Sequence, residues 1–565
     1  MRQSRRDKQG TRAAPCPTTA DRAPDKKPWR VPGWRAASLT IVYVLMALHV
    51  AHWKITGKTL APLELNEVMY TFELGIVTAG FLFMAVVFLA TLIFGRFFCS
   101  WGCHILALQD LCAWVLEKFR IRPKPIRSRA MMWIPIVTAL YMFVWPQVVR
   151  ISEGRARPQL HFRTDAQGWA SLTTENFWRN LPSPGVTALT FAVCGFLIVY
   201  VLGSRAFCIY GCPYGAAFRL ADRLAPGKIR LKTQTDCLKC GACTAACGSH
   251  VRVHEELNRF GMVVNSACLK DLDCVAACPQ GNVTFGFGRP ALLKKVVNDT
   301  PVRKQVDFTV SEEVVLILVF LSVLITCRGL YDRIPLFLSM ALGIIVAWLF
   351  VLFIRLVRRP DMQWNRWWLK SGGRLRSSGW TFVVFMFALT TFAVHCGVIR
   401  YHSFQGRRYA QQARITATDQ IVTKAIDHLA SAEHWGLLST PHDVTLLADL
   451  YYQLAGIRFS AGRLQESETH LRAALQAHPQ MTMAHYDLGA LLIQKGDLAS
   501  GVDHLKRVVA AKPDFAEGHY NLALGHWMSG ANNDARREID AAYQLNPTDV
   551  HTRELHDLMH ENHRP

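Results

Sequence analysis

Four cysteines in the run Cys237-Leu-Lys-Cys240-Gly-Ala-Cys243-Thr-Ala-Ala-Cys247 follow the spacing C-x2-C-x2-C-x3-C. Soft thiolates so spaced suit iron–sulfur chemistry: one tight loop wraps three of them around a cluster face, and the fourth serves a neighbouring cluster. Zinc sites usually set two C-x2-C pairs well apart, and disulfide frameworks belong to small secreted chains, so both are poorer matches. A second run, Cys268-Leu-Lys-Asp271-Leu-Asp-Cys274-Val-Ala-Ala-Cys278-Pro279, keeps the frame but has Asp271 at the second cysteine position. Interleaved ligation assigns Cys237, Cys240, Cys243 and Cys278 to one 4Fe–4S cluster. It assigns Cys268, Cys274 and Cys247 to another, with Asp271 at the fourth iron corner. Carboxylate is a harder, more exchangeable ligand than thiolate. The second centre is therefore expected to be an Asp-ligated 4Fe–4S or a 3Fe–4S cluster, or else an empty, degenerate half.

Two further cysteine pairs lie in an internal repeat. Gly95-Arg96-Phe97-Phe98-Cys99-Ser-Trp-Gly-Cys103-His104 aligns without gaps on Ser204-Arg205-Ala206-Phe207-Cys208-Ile-Tyr-Gly-Cys212-Pro213, 109 residues later. Each copy follows an apolar stretch and precedes a basic one, as in two parallel copies of a two-span unit. Cysteines four apart share a helix face. If the copies pack together, Cys99, Cys103, Cys208 and Cys212 converge to bind a metal, hold a third cluster or form redox-active disulfides; the alternative is a structural turn with buried thiols. Cys99-x3-Cys103-His104 is one residue too long for haem attachment. Cys16, Cys112, Cys194, Cys327 and Cys396 are isolated and carry no assignment.

The elements that must position these thiols are membrane helices. Hydrophobic residues make up 51% of the 565 residues and the mean hydropathy is +0.13. Apolar stretches near 37–54, 70–95, 130–149, 185–203, 312–328, 333–355 and 380–398 give seven expected spans. Lys/Arg-rich segments stand before the first span (ten between Arg2 and Arg35), after the second (Lys118 to Arg129) and after the sixth (Arg358 to Arg376). The positive-inside rule places them in the cytoplasm. The cysteine runs then lie in the cytoplasm, where thiols stay reduced, and the chain after the seventh span lies outside. Arg5-Arg6 lacks a following apolar region and reads as part of a basic arm, not an export signal. Residues 405–565 hold 15 Lys/Arg and 19 Asp/Glu, against a net charge of +22 for the whole chain. The basic excess therefore sits in the membrane part, where orientation explains it better than nucleic-acid binding does.

Residues 448–549 repeat every 34 residues: Leu454, Leu488 and Leu522 align, as do Gly462, Gly496 and Gly530, and Pro479, Pro513 and Pro547. This is the tetratricopeptide pattern of paired antiparallel helices, whose groove holds a protein segment unless the array is a plain spacer. His470, His485, His504 and His519 read as surface residues. Near the outer membrane face, His49 and His52 late in the first span, Glu73 early in the second and His395 late in the seventh are ionisable groups that could exchange protons with a quinone, with interfacial snorkelling as the alternative.

C-x3-C-P pairs at membrane spans followed by a ferredoxin-type loop resemble the polytopic membrane ferredoxins NapH and NosR and the oxidase accessory protein CcoG. The resemblance covers roughly residues 37–290. It implies cytoplasmic 4Fe–4S clusters and redox work for a respiratory enzyme or its maturation. His104 departs from the proline of the pattern, as does Gly248 after Cys247, and the last three spans and the tail exceed the family plan. The expected architecture is an all-α membrane bundle with a small α+β two-cluster insert and a C-terminal α-solenoid. Its parts are a basic arm (1–35), a duplicated two-span unit (36–205), the ferredoxin-type insert (206–310), three further spans (311–398) and a periplasmic repeat domain (405–565). The expected role is an inner-membrane electron carrier, or a component of a quinol-linked oxidoreductase. It sits in membrane lipid and joins a quinone pool or cytoplasmic donor to a redox partner held by the repeats. The rivals are an assembly factor for a metalloenzyme, with the C-x3-C pairs handling metal, and a redox sensor with a labile cluster.

Overall fold

The computed structural model describes residues 31–63, 67–121, 126–163, 171–178, 183–233, 237–249, 251–299 and 306–561. Most of the basic arm, including Cys16, lies outside the described residues, as do Arg122, Lys124 and Arg179. The chain forms two compact units, one of residues 1–328 and 334–389, the other of residues 329–333 and 390–565.

In the first unit and the helix leaving it, six helices are long and apolar enough to cross a membrane: Gly33–Thr56, Met131–Ser152, Pro184–Leu202, Val310–Cys327, Leu336–Arg358 and Ser377–Ile415. The expected second span is not one helix. Glu67–Leu74 ends at Gly75, whose φ of +75° favours glycine. A new helix starts at Ala79, where the Thr78 hydroxyl accepts the Phe81 N–H at 3.2 Å, and runs 16 residues to Phe94. At 1.5 Å per residue it is about 24 Å long, short of a ~30 Å bilayer core. Where seven full spans were expected, the described residues thus hold six candidate spans and one shorter apolar helix.

The ends of that helix are well defined. Just before it, Ile76 bridges His161, and nearby Thr59–Leu60 pairs antiparallel with Thr173–Thr174. The loops after the first long helix, before Ala79 and after Met131–Ser152 therefore meet. At its other end stands Gly95, with φ +74°; a Cβ there would come within 2.5 Å of Asp222 Oδ1 and 2.9 Å of Lys270 Cε. Only glycine lets the helix terminate against the cysteine-bearing insert.

The core of the bundle is the helix Leu336–Arg358, with Leu338, Ala341, Ile344, Ala347 and Val351 inaccessible to solvent and packed with Ile198, Leu202 and Leu316. Ile41, Val44, Leu45 and Leu48 on the first helix, and Leu318 and Ile325 on Val310–Cys327, face outward, as lipid-facing positions do. In the insert, strand Gly227–Leu231 pairs antiparallel with Val283–Phe287, placing Ile229 opposite Phe285. Two short helices, Ala242–Ala245 and Asp273–Ala276, follow the two cysteine loops. Ile229, Val251, Leu257, Val263, Leu272 and Val283 form the core beneath them.

The second unit is a series of helix pairs from Asp419–Trp435 to Val550–Glu561. Gly462, Gly496 and Gly530, which mark the 34-residue period, have φ of +74°, +87° and +78° and reverse the chain between paired helices.

Candidate metal centres

The cysteine loops of the insert build two sites. Cys237, Cys240, Cys243 and Cys278 line one pocket, together with Leu231, Val283 and His254. Cys247, Cys268 and Cys274 meet on the other side of the insert core. Burial and then the neighbouring Cys268 raise the Cys247 thiol to about 11, and burial followed by Cys268 and Cys247 pushes Cys274 well above its ordinary value. Thiols packed this densely in apolar surroundings ionise only if a cation takes up the charge.

The repeated pairs also come together. Cys99 and Cys208 sit in matching short helices, Phe97–Trp101 and Ala206–Tyr210. Cys103 and Cys212 are the N-caps of His104–Lys118 and Pro213–Leu224. The first-turn N–H groups of Ile105 and Leu106 face the Cys103 sulfur, and those of Tyr214 and Gly215 face Cys212, with no capping hydrogen bond formed at either. Helix N-termini favour anions, so both copies aim a helix dipole at a thiolate position. Gly102 and Gly211 lie under the rings of Phe98 and Phe207, where a Cβ would come within 2.6 and 2.8 Å. The Phe-x3-Gly frame shared by both copies therefore makes each turn. Burial, then mutual repulsion among Cys99, Cys103 and Cys212, pushes Cys103 up to about 12, and all three neighbours act on Cys208. The Gln109 side-chain amide donates to the Cys208 sulfur at 3.5 Å.

The spacing of these thiols limits what they can hold. Among the described residues, three metal-ligand atoms lie mutually within 4.8 Å only at Asp540, His556 and His560, and in none of the cysteine sets. A single tetrahedral ion with Zn–S of ~2.3 Å needs sulfurs ~3.8 Å apart. Cysteines spread wider than that suit a multi-iron core.

The charge around the quartet supports the same conclusion. Arg96, Lys228 and Lys270 are fully buried where the repeats meet the insert. Both lysines pair with one carboxylate: Asp222 accepts from Lys270 Nζ at 2.8 Å and Lys228 Nζ at 2.9 Å, and also from the backbone N–H of Arg96 at 3.3 Å. Burial alone would raise the Asp222 carboxyl, but Lys270 and Lys228 outweigh it and hold it below the usual range. Glu256, the next acid, is occupied by the N–H groups of Val264 and Asn265, both at 2.9 Å. The Arg96 guanidinium lies against Cys99 and faces Cys208, and its buried Nε has no hydrogen-bond partner among the described residues. Uncompensated buried cations are costly. An anionic thiolate-ligated cluster beside Arg96 would supply both the missing charge and the missing acceptor.

Arg205, the counterpart of Arg96 in the second copy, reaches the other insert site. It is 2% exposed and pairs directly with Asp271. It also donates to Ser249 at 3.2 Å and lies 3.4 Å from Asp273 and 3.5 Å from Asp110. Arg35 closes the network, 2.7 Å from Asp273 and 3.0 Å from Asp110. The guanidinium also lies on Gly248, where a Cβ would approach its Cζ to 2.8 Å. Two departures from the ferredoxin pattern, Asp271 for cysteine and Gly248 for proline, thus face one side chain. Neither arginine was singled out from the sequence. Their signal was an Arg three residues before the first cysteine of both copies.

The proton-exchange candidates make separate local contacts. His49 Nε2 lies 3.0 Å from the Leu60 carbonyl, and His52 Nδ1 lies 3.0 Å from the Thr59 hydroxyl, both in the chain reversal after their own helix. The Glu73 carbonyl accepts from Arg150. His395 lies in the last long helix, Ser377–Ile415. The buried acid nearby is Glu67, whose carboxylate accepts the Gly80 N–H at 3.1 Å; burial raises its pKa above the usual range.

Comparisons with known proteins fall on the same parts. Residues 76–123 and 185–232 each match a 4Fe–4S binding domain family, so the matched units are the two C-x3-C copies themselves. Residues 458–525 match a tetratricopeptide repeat family. The chain is 26% identical over 41% of its length to YccM of Escherichia coli, whose name designates it a candidate electron transport protein, and spans 63% of that protein. It is 22% identical over 30% of its length to the methylamine utilization ferredoxin-type protein MauN of Methylobacillus flagellatus, of which it spans 52%. These findings support a ferredoxin-type iron–sulfur protein with a C-terminal tetratricopeptide repeat domain.

Proposed function

We propose that this ferredoxin-type chain is an inner-membrane carrier of single electrons with three iron–sulfur sites. Cys237, Cys240, Cys243 and Cys278 would hold a 4Fe–4S cluster. Cys247, Cys268 and Cys274 would hold a 3Fe–4S cluster, because the Asp271 carboxylate is committed to Arg205. Cys99, Cys103, Cys208 and Cys212 would hold a third cluster between the two copies. Iron–sulfur clusters, when bound, supply reversible one-electron transfer. The residues around them set its direction. Arg96, Lys228 and Lys270 favour added negative charge and raise the potential of the site between the copies, and the N–H groups at Cys103 and Cys212 act in the same sense.

The observation that carries this reading is the convergence of the duplicated cysteines beside an unpaired Arg96 Nε and an excess of buried cations. Orientation follows from the basic segments: the cysteine sites face the cytoplasm and the repeat domain the periplasm. The pairing of the loops after Gly33–Thr56 and after Met131–Ser152 supports this parity, with Ala79–Phe94 crossing in a locally thinned bilayer. Electrons would enter from a quinone pool or a cytoplasmic donor and leave to a partner docked on the repeats.

Redox-titrated EPR of the purified full-length protein tests the assignment. Three titrating centres are expected, and Cys99→Ser with Cys208→Ser should abolish one and leave both insert signals. If the wild type has only the two insert centres and the double variant changes neither, the third site is refuted.

A further inference from the structure

Outside the cysteine sites, one cluster of side chains has the composition and spacing of a metal site. His556 and His560 lie four residues apart on one face of the terminal helix Val550–Glu561. Asp540 projects from the preceding helix, Asn532–Leu545. The Nε2 atoms of His556 and His560 lie 3.3 and 2.9 Å from the same oxygen, Asp540 Oδ1. With metal–nitrogen and metal–oxygen bonds of ~2.1 Å, ligand atoms stand about 3.0 Å apart at right angles and about 3.4 Å apart in a tetrahedron. The observed separations are edges of such a polyhedron.

The surroundings orient the ligands as well. His556 Nδ1 lies 3.3 Å from the Asp557 carboxylate. An imidazole whose far nitrogen donates to a carboxylate presents its other lone pair to a metal and is held in one tautomer. Tyr543 stacks on the His556 ring, with centroids 4.6 Å apart and planes at 22°. His485 with His504, and His519 with Glu538, each bring together two ligand-type side chains. The Asp540 cluster differs in having three.

We infer that Asp540, His556 and His560 form a site for a first-row divalent cation such as Zn2+, with two imidazoles and one carboxylate as ligands and a position open to water or a partner's side chain. Imidazole and carboxylate suit Zn2+, Cu2+, Ni2+ and Fe2+, and no thiolate is present to select a softer ion. Bound metal ties the last helix to its neighbour and closes the end of the array.

Cobalt(II) titration of the full-length, cluster-loaded protein tests this, because cobalt distinguishes thiolate from nitrogen and oxygen ligation. The wild type should bind one more Co2+ per chain than Asp540→Asn or His556→Ala/His560→Ala, with d–d bands and no thiolate charge-transfer band. Zn2+ should displace it and raise the unfolding temperature of the wild type alone. All three positions are partly exposed, so the variants should fold, with circular dichroism as the check. Equal stoichiometry in wild type and variants, a thiolate charge-transfer band on the extra Co2+, or half-saturation only above the millimolar range would overturn the site.

Discussion

Replacing Asp271 by alanine separates two roles that the sequence leaves open. If Asp271 is an iron ligand, Asp271→Ala removes one corner and converts a four-iron centre to a three-iron one. If the carboxylate is instead the counter-charge of Arg205, the centre has three irons in both proteins and only stability changes. Removing one partner of a buried ion pair costs about 3–5 kcal/mol. Arg205 keeps Asp273 at 3.4 Å, Asp110 at 3.5 Å and Ser249 at 3.2 Å, so the cost should fall near the lower end, about 3 kcal/mol. The assay is EPR of oxidised and dithionite-reduced protein, with iron content per chain and chemical unfolding of the insert in parallel. The expected result is a three-iron signal of equal intensity in both proteins and a lower unfolding midpoint in the variant. A wild type with no three-iron signal, which acquires one on Asp271→Ala, would falsify the assignment of Asp271 to Arg205.

Three further outcomes follow from particular contacts. Gly248→Ala drives a methyl to within 2.8 Å of the Arg205 Cζ; because the guanidinium is held on several sides, the change should cost about 1–3 kcal/mol, read as a lower unfolding midpoint that Arg205→Ala partly restores. Asp222→Ala leaves Lys228 and Lys270 buried without their carboxylate; a loss of about 3–5 kcal/mol is expected, and a variant as stable as wild type by chemical denaturation would contradict the network. In the repeats, burial holds His470, His504 and His526 below their ordinary pKa. The unfolded chain therefore binds protons first, so stability is full above the unfolded pKa of ~6.5 and falls as pH drops through it. Far-UV circular dichroism melts should show this loss between about pH 7 and 5. It should be smaller in His504→Phe, which also removes the 2.7 Å contact between two imidazole nitrogens.

The cysteine loops and the 34-residue repeats were legible because their information is local. A C-x2-C-x2-C-x3-C run specifies its own wrapping, and Gly462, Gly496 and Gly530 mark turns that need positive φ. The break in the expected second span was less visible. Residues 70–95 are almost uniformly apolar, so hydropathy could not separate Glu67–Leu74 from Ala79–Phe94; Gly75 was the signal, but a single glycine is tolerated in many membrane helices. The roles of Arg96 and Arg205 were hidden for another reason. Both align in the repeat, yet their partners Asp222, Ser266, Ser249 and Asp271 lie far along the chain, and only the packed insert brings them together. The Asp540, His556 and His560 cluster was not legible because it joins the last helix of the 34-residue period to Val550–Glu561, which lies beyond that period.

The two arginines also explain why the second half of the insert departs from its pattern. A duplicated membrane unit offers two equivalent arginines to an insert that is itself built of two similar cysteine loops. Arg96 enters beside the quartet, donates to the Ser266 carbonyl at 3.1 Å and lies against Cys99. Arg205 enters beside Cys247 and needs a counter-charge where a ferredoxin loop would supply a cysteine. A thiolate bound to iron shares its charge with the metal, whereas a carboxylate is a full hydrogen-bonding anion at the guanidinium. On the proposed assignment, Asp271 exchanges one iron corner for an ion pair to Arg205 of the second copy. On this argument Arg205 and Asp271 depend on each other. Arg205→Leu with Asp271→Cys should fold and gain a four-iron signal, whereas Asp271→Cys alone should gain it only at a cost in stability. If the single and double variants prove equally stable, the coupling between docking and cluster type is absent.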